Sequence, residues 1–277
     1  MAAPDWFISH LGWKQATSKS AKACVTLFGE PLAPNLADLG SVTSLKLAGY
    51  AYSCLGIPPT KQAEDLGASD TDRPTKKQQA TGAALEAALE SDLAARLADL
   101  NEDVDWYVTR QGRVDQFSQF EHLAALQHLF LESATLRSTI GRSYHVSTDV
   151  MVAVPNQGRG TAARSLHAAV SSKLTIRSDR VQNIRFEFGT LVRNRRGRLP
   201  HLVVVTAEPL PSRVASIAQG TGEIDAVYHL LYDEIGAALA SPQPNKHLND
   251  QRDHWMELVE TGRLRPYEEL PRVLALS

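Results

Sequence analysis

Two cysteines, Cys24 and Cys54, are all the thiols in this chain, too few for a disulfide framework or a thiolate zinc site. No apolar run approaches the ~18–20 residues that span a bilayer. The opening "MAAPDWFISH" holds neither a basic segment nor an apolar one, so no secretion signal is read there, and a soluble, cytoplasmic protein is expected. No internal repeat is found. Net positive charge is missing too: 29 Lys and Arg face 31 Asp and Glu, a formal −2. That balance argues against a general binder of polyanions.

What is present is uneven. The composition, 43% hydrophobic and 22% charged, is that of an ordinary globular chain of 277 residues. Residues 171–200, however, hold eight Lys or Arg (173, 177, 180, 185, 193, 195, 196, 198) against Asp179 and Glu187, an excess of six positives, which leaves about −8 for the rest. One anion-facing surface would explain this asymmetry. A solvated basic helix explains the charge alone equally well.

The pattern along the chain is that of an α/β protein. Residues 56–80, rich in Pro, Gly and Asp, read as a loop or mobile arm. From Thr81 a helix is expected, with Leu85, Leu89, Leu93 and Leu97 recurring every four residues. Strands are expected over 103–110, 145–155, 166–173 and 200–208, and helices over 119–133, 178–194 and from Pro211 to Ala218. Val146, Thr148, Val150 and Val152 should share one strand face. Residues 223–239 fit a strand or a helix. Strands alternating with helices imply a central mixed β-sheet flanked by helices, in a single domain over 1–277.

Residues two apart in a strand share a face, so Ser171 and Lys173 point together while Ser172 points to the opposite layer. Asp149 on the preceding strand faces away from the valine row. An acid on one strand with Ser-x-Lys ending the next suits metal-dependent phosphodiester cleavage: the acid holds Mg²⁺ and the ammonium stabilises developing charge. By itself the pattern is common, and surface polar residues at strand ends would also produce it. In a helix over 178–194, Val181, Ile184, Phe188 and Leu191 form the buried stripe, with Glu187 at its edge. Glu86 falls within the leucine stripe of its own helix. Half-buried carboxylates need partners. Each could pair with a nearby Arg, or all could share one divalent ion with Asp149. Arg177, Asp179 and Arg180 straddle the helix start, with Ser178 as its cap. They have the vocabulary to read G·C pairs, Arg on guanine and Asp on the cytosine amine, though an intrahelical salt-bridge set would use the same residues. His145 and His167 flank the site without zinc spacing and are taken as ordinary strand residues.

The stretch "SSKLTIRSDRVQNIR…LVRNRRGRLPHLVVVTAEPLPSRVASIAQGTGEIDAVYH" resembles the NgoMIV-type restriction endonucleases, in the CCGG-cutting branch of the PD-(D/E)xK nucleases. The likeness is dense over 171–232, weaker in "QATGAALEAAL" (79–89) and a fragment in "ADLGSVT" (37–43). It implies a restriction-endonuclease-like core with its catalytic and recognition parts at about 81–232. The implied catalytic residues are Glu86, Asp149, Ser171, Lys173 and Glu187, with Ser171 standing where most such nucleases keep a second acid and Glu187 supplying that acid. The implied metal set is Asp149, Glu86, Glu187 and Ser172, with two Mg²⁺ ions per site. Arg177, Asp179 and Arg180 would read the CCGG core, Arg213 and Asp38 the flanking pair, and Gln79 the minor groove. The family usually has Pro before the strand acid; here it is Thr148, and the interval from Asp149 to Ser171 is shorter.

The resemblance therefore implies a Mg²⁺-dependent Type II restriction endonuclease acting on double-stranded DNA at GCCGGC and leaving 5′-phosphate ends. It would work as a homodimer or homotetramer, beside a cognate methyltransferase. A DNA-binding protein without catalysis is the alternative. A structural or RNA-binding role for "RNRRGR" (193–198) would leave the carboxylates unexplained.

Overall fold

A computed structural model describes residues 3–60, 74–110, 112–133, 135, 138, 147–156, 163–220, 222–241 and 245–277; within the helices, the side chains of 74–81, 128, 130, 131 and 178–180 lie outside the description. The N-terminal part comprises α1 (Asp5–Ile8), β1 (Trp13–Gln15), α2 (Ala21–Phe28), β2 (Leu32–Pro34) and α3 (Val42–Cys54). β1 and β2 form an antiparallel pair. Next come α4 (Pro74–Leu100), β3 (Tyr107–Thr109), α5 (Glu121–Glu132), β4 (Val150–Val154), β5 (Ser165–Lys173) and α6 (Ser178–Asn194). The chain closes with β6 (His201–Thr206), α7 (Pro211–Ala218), β7 (Ala226–His229), α8 (Tyr232–Leu239), α9 (Lys246–Glu260), β8 (Leu264–Pro266) and α10 (Leu270–Ala275).

The main sheet has six strands in the order β3-β4-β5-β6-β7-β8. β3, β4 and β5 run antiparallel, whereas β5 through β8 run parallel. This is the mixed sheet flanked by helices that the pattern predicts. α6 returns the chain from β5 to β6, and α7 from β6 to β7, so the carboxyl ends of these strands and the starts of both helices share one sheet edge. Ligands of open α/β sheets bind outside that edge.

β6 is buried at five of its six positions, and the same burial runs through β4 and most of β5, as expected of strands covered on both faces. For β4 this removes the expected alternation, since Met151 and Ala153 are as buried as Val150 and Val152; Val146 lies outside the described residues. The α4 leucines, Leu85, Leu89, Leu93 and Leu97, are all buried and pack toward β4, β5 and α10. α4 begins at Pro74, seven residues before the expected start, because proline's fixed φ suits a first helical turn. The arm reading over 56–80 is thereby shortened, and residues 61–73 are outside the description. Residues 223–239 resolve into strand and helix in succession, divided at Leu230–Leu231. Among the described residues no helix is long and apolar enough to cross a membrane.

The basic stretch does not form one surface. α6 has 17 residues, about 25 Å at 1.5 Å per residue. Lys173 and Arg177 lie before its start, whereas Arg195, Arg196 and Arg198 follow its end. Arg185 is used internally, pairing with Glu223 at 2.9 Å and donating to the Ser216 carbonyl at 3.1 Å.

Candidate active site

Antiparallel register builds the centre. Val150 faces Val170 across β4 and β5, so Asp149, one residue before β4, arrives opposite Ser171. Its Oδ2 accepts the Ser171 hydroxyl at 3.1 Å and the Ser172 backbone N–H at 2.7 Å, and it pairs with the Lys173 ammonium. Three consecutive residues of β5 thus converge on one carboxylate. Ser171 and Lys173 reach it by side chain, as expected of residues two apart. Ser172 reaches it by backbone, while its buried Oγ has no hydrogen-bond partner.

Glu86, on α4, and Glu187, on α6, flank this group. Burial raises the Glu86 carboxyl above its usual range and Asp149's charge adds to the rise, while Lys173 and Arg110 oppose it. Glu187 is likewise raised by burial, with Lys173 opposing and Asp149 reinforcing. Three acids and one ammonium therefore share an electrostatic neighbourhood drawn from four elements. Hard, half-buried carboxylates are the donor chemistry of a divalent cation. As the side chains stand, no three His, Cys, Asp or Glu among the described residues are arranged as ligands of one ion, and the Lys173 ammonium occupies Asp149.

Of the sequence-predicted reading residues, Arg177 and Arg213 lie at the starts of α6 and α7, on the same edge. Arg177 is exposed and occupies the N-cap position of α6; the helix starts at Ser178, and no side chain caps it. The side chains of Asp179, Arg180 and Gln79 lie outside the description, although all three are in helices. Arg213, in the first turn of α7, pairs with Asp38, some 175 residues away. Burial pushes the Asp38 carboxyl up, but the Arg213 hydrogen bond, the Gly40 N–H and the charges of Arg213 and Lys14 outweigh it, so it titrates below its usual range. His167, a buried strand residue, donates from Nε2 to the Leu274 carbonyl at 2.8 Å, and burial lowers its pKa. His145 is outside the described residues.

Two residues that the sequence reading passed over support this edge. Lys14, on β1, donates to the carbonyls of Asn35 and Ala37, both at 3.0 Å, and so fixes the loop that carries Asp38. Burial lowers its pKa, with Asp38 opposing and Arg177 reinforcing. Glu208, just after β6, is 1% exposed and stands 3.9 Å from Arg213. Its only sequence signal is a charged residue at the end of an apolar strand pattern.

The family model of the NgoMIV restriction enzyme matches residues 60–157 and 154–276. The chain is 38% identical over 201 residues to the type II restriction enzyme NgoMIV of Neisseria gonorrhoeae, an alignment covering 62% of this chain and 68% of that protein. Among solved structures, the pre-specific restriction endonuclease BsaWI in complex with DNA aligns over 82% of this chain and 80% of that one, at 13% identity and a TM-score of 0.34, too loose to carry weight. The sequence match across most of the chain decides the matter: the protein belongs to the NgoMIV restriction enzyme family and is a type II site-specific deoxyribonuclease.

Proposed function

We propose that this enzyme hydrolyses double-stranded DNA at GCCGGC with Mg²⁺ as cofactor and leaves 5′-phosphate ends. The observation that carries the reading is the convergence of Ser171, Ser172 and Lys173 on Asp149, with Glu86 and Glu187 beside them. Asp149, Glu86 and Glu187, with Ser172, would hold the metal, two ions per site. Bound there, Mg²⁺ would polarise the scissile phosphate and lower the pKa of a bound water.

The chain's own groups supply the remainder. The Lys173 ammonium stands ready to stabilise charge on the phosphoryl oxygens. When it turns to the phosphate, Asp149 keeps the Ser171 hydroxyl and the Ser172 amide as donors, so the carboxylate remains oriented. Arg177, Asp179 and Arg180 read the inner CCGG in the major groove, Arg213 and Asp38 the outer pair, and Gln79 the minor groove. A palindrome offers the same half-site twice, so the working species is a homodimer or homotetramer. It operates in the cytoplasm, where a cognate methyltransferase protects host sites.

The test is incubation of a plasmid carrying one GCCGGC site, with and without Mg²⁺, followed by sequencing of the ends. Cutting only with Mg²⁺ and only at that site is expected. Specific binding without any cutting would instead establish a non-cleaving DNA-binding protein.

A further inference from the structure

We propose that Glu208 is a positioning residue that ties both DNA-reading elements to one point and thereby sets sequence discrimination. This rests on the reading above, in which Arg177, Asp179 and Arg180 recognise the inner base pairs and Arg213 the outer pair.

The carboxylate of Glu208 spans two helix starts. Oε2 accepts the Ile176 N–H at 2.7 Å, and Ile176 immediately precedes Arg177 at the cap of α6. Oε1 accepts the Leu210 N–H at 3.1 Å, and Leu210 is the cap residue of α7. Neither cap residue makes a capping hydrogen bond with its own side chain. Oε1 also lies 3.9 Å from the Arg213 guanidinium. The backbone of Glu208 is fixed as well. Its N–H donates to Thr206 Oγ1 at 3.2 Å, and its carbonyl lies 3.0 Å from His229 Nε2. His229 Nδ1 accepts the Leu231 N–H at 3.0 Å, which assigns the proton of a neutral ring to Nε2. Burial holds His229 neutral, its pKa lowered to about 4. The loop before α6 and the start of α7 are therefore bound to one anchored carboxylate.

The two acceptor oxygens are what make this functional. Burial raises the Glu208 carboxyl to about 7, against the Ile176 N–H, the Arg213 charge and the Leu210 N–H, with Asp38's charge adding to the rise. A glutamine of the same shape would avoid the cost of burying a charge. It has only one acceptor oxygen, however, and its amide would oppose the other N–H and the guanidinium. Only the carboxylate holds both elements at once.

The experiment measures binding of full-length Glu208→Gln, without metal and at one salt concentration, to GCCGGC, ACCGGT and core-altered duplexes. Both the inner and the outer discrimination ratios should fall at least tenfold together. If all affinities drop equally and the ratios survive, Glu208 is merely structural and the proposal is overturned. Arg180→Ala and Arg213→Ala are measured alongside. If neither changes a ratio, the reader assignment fails and this proposal with it. If each lowers its own ratio while Glu208→Gln lowers neither, Glu208 alone is overturned. Should the glutamine variant not fold, Glu208→Asp keeps the charge on a shorter reach; loss of at least one ratio is expected, and retention of both overturns the proposal.

Discussion

Removing the ammonium of Lys173 should expose how far the proposed active centre is electrostatically loaded in the absence of metal. In Lys173→Ala, Asp149 keeps its two serine donors but loses its charged partner. A charge-assisted hydrogen bond contributes about 1.5–3 kcal/mol, and a fully buried pair broken on one side costs about 3–5 kcal/mol. Both side chains here are 22% exposed, so the lower range applies. A loss of about 2 kcal/mol would lower Tm by about 4–8 °C in a chain of this size. The loss should depend on pH. Glu86 and Glu187 titrate above their usual range in the folded protein, so folding takes up protons and stability declines as pH rises from the ordinary glutamate range through their raised values. Lys173 opposes that rise at both residues; without it the decline steepens. Thermal melts followed by circular dichroism in EDTA should therefore separate mutant from wild type less near pH 5 than near pH 8. Added Mg²⁺ should restore part of the difference by binding the folded state. Equal differences at both pH values, or none at pH 8, would refute the assignment of Lys173 as the counter-charge of these acids.

Three further outcomes are expected. Arg180→Ala should cost about 1–3 kcal/mol at every CCGG-containing duplex, whereas Arg213→Ala should shrink the gap between GCCGGC and ACCGGT; a uniform loss across flanks in a binding panel would make Arg213 a backbone contact. Ser171→Glu combined with Glu187→Ser should retain more Mg²⁺-dependent cleavage than Glu187→Ser alone, and equal rates would count against a spatial exchange of the acid. Leu93→Ala, in the middle of the α4 stripe and 0% exposed, should lose about 2–5 kcal/mol in urea unfolding; a loss under about 1 kcal/mol would mean that α4 is not anchored as the packing indicates.

Local pattern carried much of the architecture. Helical period placed Leu85, Leu89, Leu93 and Leu97 in the core, and the bounds of α6 and α7 agree with those read from the sequence. The Ser-x-Lys strand end was legible because strand alternation alone sends Ser171 and Lys173 to one side. Period cannot tell a strand followed by a helix from a single apolar element, which is why 223–239 fits either and only the fold divides it into Ala226–His229 and Tyr232–Leu239. Nor can linear charge density locate a surface. The excess over 171–200 looked like one patch, but a helix of 17 residues carries its two ends apart.

The sequence by itself determined which residue types the centre contains and which strand and helix ends would carry them, since those follow from short-range period and from the family likeness. Tertiary structure decided which of them meet. Asp149 reaches Ser171 through β4–β5 register, Asp38 reaches Arg213 across 175 positions, and the carboxylate of Glu208 gathers the starts of two helices through Ile176 and Leu210, which meet only in space. Such contacts are set by strand pairing and by the burial of charge among distant partners, and no local period encodes either.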